Sequence, residues 1–270
     1  MWCTSPSPIL EVEITGVSRV VAGSGGHACV LANGSVSCWG VGKSGQLGNG
    51  ELLTGPTPER VKGITNAVTI AAAAAHTCAV EKTGVVLCWG DNSEGQLGDG
   101  TTENRATPVA VKGVTSAKAI TLGLHHGCAI EKDGHVVCWG RKRGGPRGEA
   151  VAIPKLAHVD ELAAMRTDTC ARSGHVVSCW GALFGTEPTP RAELSGADRL
   201  AADGYDACII HSNGSVHCVS PSTQKESYDL PRSANAASAR VLAGGTCVVR
   251  SDDTVACTEL SAMTPKLEQL

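Results

Sequence analysis

Aromatic residues are scarce in this 270-residue chain: five Trp, two Tyr and one Phe. So few rings lend little support to a sugar-binding surface, which wants aromatic platforms in its loops. Long hydrophobic runs are missing too. The longest small-apolar stretch, Ile70 to Ala75, is far shorter than the ~18 residues a membrane-spanning helix needs. Neither sign of charge dominates. The net charge is −3, and the one basic cluster is Arg141, Lys142, Arg143 and Arg147. A nucleic-acid footprint needs a clustered positive surface, so that cluster reads as a solvated loop and no nucleic-acid partner is expected. The N-terminus Met1-Trp2-Cys3 has no basic n-region followed by an apolar h-region, so it shows no signal peptide.

Glycine and cysteine are plentiful. The 33 Gly and 12 Pro call for many turns and argue against a helix bundle. The 13 Cys point away from a reducing compartment unless they hold metal or carry redox chemistry. They are spaced in pairs: Cys29/Cys38, Cys78/Cys88, Cys128/Cys138, Cys170/Cys179, Cys208/Cys218 and Cys247/Cys257, with Cys3 left over. Separation within a pair is nine or ten residues, and successive pairs start 49, 50, 42, 38 and 39 residues apart. Such periodicity marks a repeat architecture.

Each repeat follows one plan. A small-residue strand such as Val20-Val21-Ala22-Gly23 leads into a strand with the first cysteine. A tight turn and a strand with the second cysteine follow. Asn33-Gly34 is the favoured two-residue type I′ hairpin turn, and it sets Cys29 opposite Cys38. Gly174-His175 does the same for Cys170/Cys179. The loops Lys82-Thr83-Gly84, Lys132-Asp133-Gly134, Ser212-Asn213-Gly214 and Ser251-Asp252-Asp253 do so for the other four pairs. Directly opposed residues have Cα atoms roughly 4.5–5.5 Å apart, inside the span a disulfide tolerates. One cross-strand bridge per repeat is therefore expected. Trp-Gly follows the second cysteine in four repeats (Trp39, Trp89, Trp139 and Trp180), then a Gly-rich loop and a Pro-led segment.

Short strands repeated every 40–50 residues predict an all-β fold, a β-propeller of six recognisable repeats. It would be a single domain over 1–270, with hairpins near 27–40, 76–90, 126–140, 168–181, 206–218 and 245–257. The ring would have six blades, or seven with part of one lacking. Small first strands suit crowding at the axis, and the tryptophans suit the wedge between blades. Gln46, Leu47, Gln96 and Leu97 are expected to hold loop shape. Met263 to Leu270, with Pro265, resembles the Pro-led segment and could pair with the N-terminal strand. Pro8 to Val17 resembles it too, which would put Cys3 in a preceding hairpin with export signal upstream; a stray terminal cysteine is the alternative.

The motifs Gly-x-x-His-x-Cys-Ala, Asp/Asn-Gly, Val-x-Cys-Trp-Gly and Gly-Gln-Leu-Gly together resemble the regulator of chromosome condensation repeat family, in a cysteine-paired form that looks bacterial. The resemblance is strongest over 20–140. Gly145-Pro146-Arg147-Gly148 looks like a decayed third Gly-Gln-Leu-Gly, and repeats five and six lack the Trp. It implies a propeller, usually seven-bladed, that works by protein contact. The founding members are guanine-nucleotide exchange factors for a small GTPase.

Chemistry finds few candidates. His27, His76 and His126 precede their cysteines by two, where later repeats have Asp168, Asp206 and Gly245. Equivalent positions on separate blades are spread around a ring, so these imidazoles are expected to be structural, bonded to neighbouring loops. A zinc site of one His and two reduced Cys per blade remains the alternative if the thiols are free. Tyr205 and Tyr228 sit in no catalytic motif, and no Gly-rich loop carries the Lys-Ser/Thr of a phosphate cradle. No catalytic residue, metal or cofactor is assigned. The expected protein is a monomeric, exported, non-catalytic protein-binding propeller. Exchange-factor activity in the cytoplasm is the first alternative and carbohydrate binding the second.

Overall fold

The computed structural model describes residues 13–141, 148–203, 206–219, 228–229, 236–242, 245–250 and 255–259; within the strands it places no side chain for 203, 228, 237–242, 245–250 or 255–259. The Arg/Lys cluster beyond Arg141, residues 145–147 of the decayed loop, Cys3, Tyr205, the 251–253 turn and Met263–Leu270 lie outside the described residues.

The chain is all-β, with one short 3-10 turn at Ala192–Leu194. Blade one is β1 (Val17–Gly23), β2 (His27–Ala32), β3 (Ser35–Gly40) and β4 (Gly55–Arg60). Blade two is β5 (Ala67–Ala72), β6 (His76–Glu81), β7 (Val86–Gly90) and β8 (Arg105–Ala110). Blade three is β9 (Ala117–Leu122), β10 (His126–Glu131), β11 (Val136–Gly140) and β12 (Val151–Ala152). Blade four is β13 (Glu161–Ala164), β14 (Asp168–Ser173), β15 (Val176–Gly181) and β16 (Gly185–Pro190). Blade five is β17 (Arg199–Asp203), β18 (Asp206–Ile210), β19 (Val216–Val219) and β20 (Tyr228–Asp229). The sixth sheet has three described strands, β21 (Ala236–Leu242), β22 (Gly245–Arg250) and β23 (Val255–Glu259). Every sheet is an antiparallel meander. The first strands of successive sheets pack on one another, from β1 through β5, β9, β13 and β17 to β21. These are the blades of a propeller.

The turn chemistry sets the register. Asn33 and Gly34 both take positive φ, +50° and +76°, as a type I′ turn requires. Cys29 then pairs with Cys38, and Cys78, Cys128, Cys170, Cys208 and Cys247 pair with Cys88, Cys138, Cys179, Cys218 and Cys257. In the first five pairs the sulfurs lie 2.00–2.14 Å apart and the Cα atoms 4.0–4.1 Å apart. That Cα spacing is tighter than the 4.5–5.5 Å expected of an average pair. Counting back from the turn puts every pair on the narrow, non-hydrogen-bonded rungs of its ladder. The Cys247 and Cys257 side chains lie outside the described ones.

The glycine of the Trp-Gly motif is required locally. Gly40, Gly90 and Gly140 have φ of +98°, +110° and +91°, and a Cβ on each would meet a backbone carbonyl oxygen 2.4–2.5 Å away. Such a backbone disfavours any L side chain.

The core lies between blades, not within them. A sheet buried on both faces needs apolar residues at successive positions, which explains the wholly buried run His76-Thr77-Cys78-Ala79-Val80 in β6. The first seam joins Cys29, Leu31, Val36, Cys38 and Leu47 of blade one to Ala67, Ile70 and Trp89 of blade two. The second joins Cys78, Val80, Val86, Cys88 and Leu97 to Ala117 and Trp139. Trp89, Trp139 and Trp180 are buried in the wedges, at 0–1% exposure. Each such ring removes enough area from water to contribute about 4–6 kcal/mol as an upper bound.

Candidate functional site

The side chains singled out by their repeat positions meet at the seams. The Trp89 indole N–H donates to the Gln46 carbonyl at 2.9 Å, and Trp139 donates to the Gln96 carbonyl at 3.0 Å. Each tryptophan thus fastens the long loop of the preceding blade. Trp180 finds no partner for its N–H among the described residues, and Trp39 is half-buried.

The histidines occupy the same seams. His27 Nε2 lies 2.8 Å from Thr77 Oγ1, and His126 Nε2 lies 2.9 Å from Thr169 Oγ1, each on the next blade. The Thr77 hydroxyl donates to the Gln46 carbonyl at 3.4 Å, so His27 Nε2 is the donor and Nδ1 is left bare. The acceptor is a strand threonine and not the neighbouring loop expected from the sequence. His76 is fully buried, and neither ring nitrogen is bonded among the described residues. Two substitutions isolate it. Gly127 stands where its threonine partner would be, and Ala73 stands where Gly23 and Gly123 make room for the His27 and His126 rings. A Cβ at Gly23 or Gly123 would lie 2.1–2.2 Å from those rings. Burial lowers the His27 pKa to about 4. Burial, then the nearby His27 and His125, lowers His76 to about 3. Both are neutral at physiological pH. Asp168, at the same position in blade four, accepts the Leu183 and Phe184 N–H groups at 2.8 and 3.2 Å.

Among the described residues, no three His, Cys, Asp or Glu side chains converge as metal ligands. The His27 and His126 imidazoles face threonines, and the sulfurs of each described pair face each other. His27 and His126 thus bridge neighbouring blades, whereas Asp168 bonds within its own.

Two long loops, residues 41–54 and 91–104, follow the second-cysteine strands of blades one and two. Their inner residues are fixed: Gln46, Leu47, Gln96 and Leu97 are at most 2% exposed. The Gln46 and Gln96 side-chain carbonyls accept the Ser44 and Glu94 N–H groups at 2.9 Å. Asn92 accepts the Leu97 N–H at 2.9 Å and donates to Asp99 at 3.0 Å. Arg105 pairs with Asp99 at 2.9 Å. Burial opposes the Asp99 charge, but hydrogen bonds from Thr101, Arg105 and Asn92 hold its pKa below the usual carboxylate value. On this fixed base Leu52 and Leu53 stand 58% and 66% exposed, beside the exposed Lys43 and Glu51. The motifs do not reveal Leu52 and Leu53, because the second loop has Thr102 and Glu103 there. Thr77 and Thr169 were legible only as the residue between the His or Asp and the first cysteine.

Sequence models of the regulator of chromosome condensation (RCC1) repeat match residues 33–80 and 83–130, and a second model of that repeat matches 67–96. No curated protein matches the chain significantly. Solved structures share the fold. Prp20p from Saccharomyces cerevisiae aligns over 90% of this chain and 72% of its own at 17% identity, with a TM-score of 0.74. Human WBSCR16 aligns over 92% and 78% at 14% identity, with a TM-score of 0.78. The CRINKLY WD40 ectodomain of the Arabidopsis thaliana receptor kinase ACR4 aligns over 93% and 84% at 19% identity, with a TM-score of 0.61. Prp20p is described as binding Gsp1p and histones. Residues 33–130 thus carry regulator of chromosome condensation repeats, and the blades share their fold with those solved structures.

Proposed function

We propose that this chain is a non-catalytic, monomeric protein-binding propeller, and that its docking surface is the pair of long loops at 41–54 and 91–104. The observation that carries this reading is the exposure of Leu52 and Leu53 on a loop whose Leu47 is buried. Apolar side chains held out on a rigid base are what a protein interface needs at its centre. No nucleic-acid or membrane partner is invoked. Pull-downs from the native host, with wild type and the Leu52→Ser/Leu53→Ser variant side by side, test it. A partner held by wild type and lost by the variant, at unchanged melting temperature, supports the reading. Equal retention of every partner by both proteins defeats it.

We further propose that the paired cysteines are oxidised, all six pairs included, and that the protein works outside the reducing cytosol. Alkylation with intact-mass measurement on native protein, before and after reduction, is the test. One free thiol, Cys3, is the expected count, or none if Cys3 pairs between chains. Thirteen would return the protein to a reducing compartment.

The exchange-factor alternative draws on the family and on the Gsp1p binding described for Prp20p. Nucleotide-release assays with small GTPases test it, and accelerated release would replace the non-catalytic reading. Carbohydrate binding has less support, because Trp89, Trp139 and Trp180 are buried in the seams and offer no platform.

A further inference from the structure

The seam between blades three and four lacks the outer fastenings of the two before it. In the first two seams a tryptophan N–H bonds a loop carbonyl, and a loop leucine, Leu47 or Leu97, joins the apolar cluster. In the third seam the Trp180 N–H has no partner, and no loop leucine joins the cluster of Cys128, Ile130, Leu156 and Trp180 among the described residues. The sequence has Pro146-Arg147 where the first two loops have Gln-Leu. The outer strand is also cut short: β12 has two residues, against six in β4 and in β8.

The linker across this seam is strained as well. Aligned on the buried Ile64, Val114 and Leu156, Lys155 stands where the earlier linkers have Gly63 and Gly113. Those glycines take φ of +76° and +84°, and Lys155 takes +64°. His158, two residues on from Leu156, takes φ of +53°. In the next linker that position, two after Leu194, belongs to Gly196 at +76°. Side-chain-bearing residues thus hold two left-handed positions that glycine fills elsewhere, which costs stability. Leu156 is 9% exposed, against 1–2% for Ile64 and Val114.

The inner side of the same seam is well fastened. His126 Nε2 lies 2.9 Å from Thr169 Oγ1, the Ala164 N–H donates to Thr121 Oγ1 at 3.0 Å, and the Leu124 N–H donates to the Arg166 carbonyl at 2.9 Å. All three bonds belong to the first two strands of each blade and the loops that join them.

We propose that the third seam is a built-in opening point of the propeller: it parts at the rim and pivots on these inner bonds, while the first and second seams stay shut. A loosened edge beside a bonded one is the arrangement of a hinge, and local opening follows the weakest set of contacts. This inference stands apart from the loop-binding reading.

The test is slow, tryptophan-selective oxidation of the full chain under native conditions, read by peptide mass spectrometry. Trp89, Trp139 and Trp180 are all 0–1% exposed, so a difference in rate reports opening and not static access. Trp180 is expected to react several-fold faster than Trp89 and Trp139. Lys155→Gly/His158→Gly should slow Trp180 toward the other two and leave those unchanged. Amide exchange gives a second reading. The Val159 N–H donates to the Gly134 carbonyl at 3.0 Å much as Ala117 donates to Gly84 at 2.9 Å. Val159 should nevertheless exchange several-fold faster than Ala117, while Leu124 and Ala164 stay protected. Equal oxidation of the three tryptophans would show three equivalent seams and overturn the proposal. A fast Trp180 that the glycine variant does not slow would overturn it too, as would Leu124 and Ala164 exchanging as fast as Val159, which would mean separation without a hinge.

Discussion

The Trp89 indole N–H reaches across a blade boundary to the Gln46 backbone carbonyl, 2.9 Å away. One hydrogen bond thereby couples the Cys-Trp-Gly of one repeat to the Gly-Gln-Leu-Gly of the repeat before. The Trp89 N–H and the Gln46 carbonyl are paired only across the boundary, so this bond holds only while the two blades stay in contact.

Trp89→Phe should destabilise the fold by about 2–4 kcal/mol, through lost packing and the loss of one of the two donors to the Gln46 carbonyl. Trp180→Phe should cost about 1–2 kcal/mol less, because the Trp180 N–H has no bond to lose among the described residues. Parallel denaturant titrations of the two variants and wild type would measure the difference.

The two seam histidines should respond oppositely to an apolar replacement. His27→Leu breaks the bond to Thr77 and leaves that hydroxyl without its donor, so a loss of about 1–3 kcal/mol is expected. His76→Leu removes two unbonded ring nitrogens from the interior and should be neutral or stabilising. A loss at His76 as large as that at His27 would show that the His76 ring has a bonding partner in solution.

Stability should fall in mild acid. Folding lowers the pKa of His27 from 6.5 to about 4 and of His76 from 6.5 to about 3. The unfolded chain takes up these protons as pH drops below about 6.5, while the folded chain does not. The stabilisation is complete above that pH and declines as pH falls toward the folded values. The slope is at most about 1.4 kcal/mol per pH unit for each histidine. Unfolding free energies between pH 7 and pH 4 would show it, and His76→Leu should flatten the curve.

Removing one cysteine pair should cost stability without changing the fold. Cys78→Ala/Cys88→Ala opens a loop of about ten residues, worth roughly 2–3 kcal/mol in the chain-entropy picture. Thermal melts with and without reductant provide the comparison. The variant should lose less on reduction than wild type does.

The hairpins were legible from residues alone. Asn33-Gly34 sets its register by turn chemistry, which is local, and the same counting carried Cys78 to Cys88 and Cys170 to Cys179. The periodic cysteines and tryptophans similarly implied blades, because a single repeat has no face of its own to bury them against. Gln46 and Leu47 followed from loop composition in the same way.

The contacts between repeats were not legible. The sequence around His76 differs from that around His27 by Ala73 in place of Gly23, but it does not show what that does. Only the packed seam brings Gly127 and Ala73 to it, and the same seam gives His27 a threonine. Leu52 and Leu53 look like ordinary apolar residues until folding buries Leu47 and leaves them in water. Turn types and strand pairing depend on neighbours a few residues away, so the sequence by itself determined the blades. Hydrogen-bond partners and exposure depend on residues ~40–50 positions apart that meet only when blades stack, so the tertiary structure alone decided which repeated residues are bonded, which are stranded, and which stay exposed.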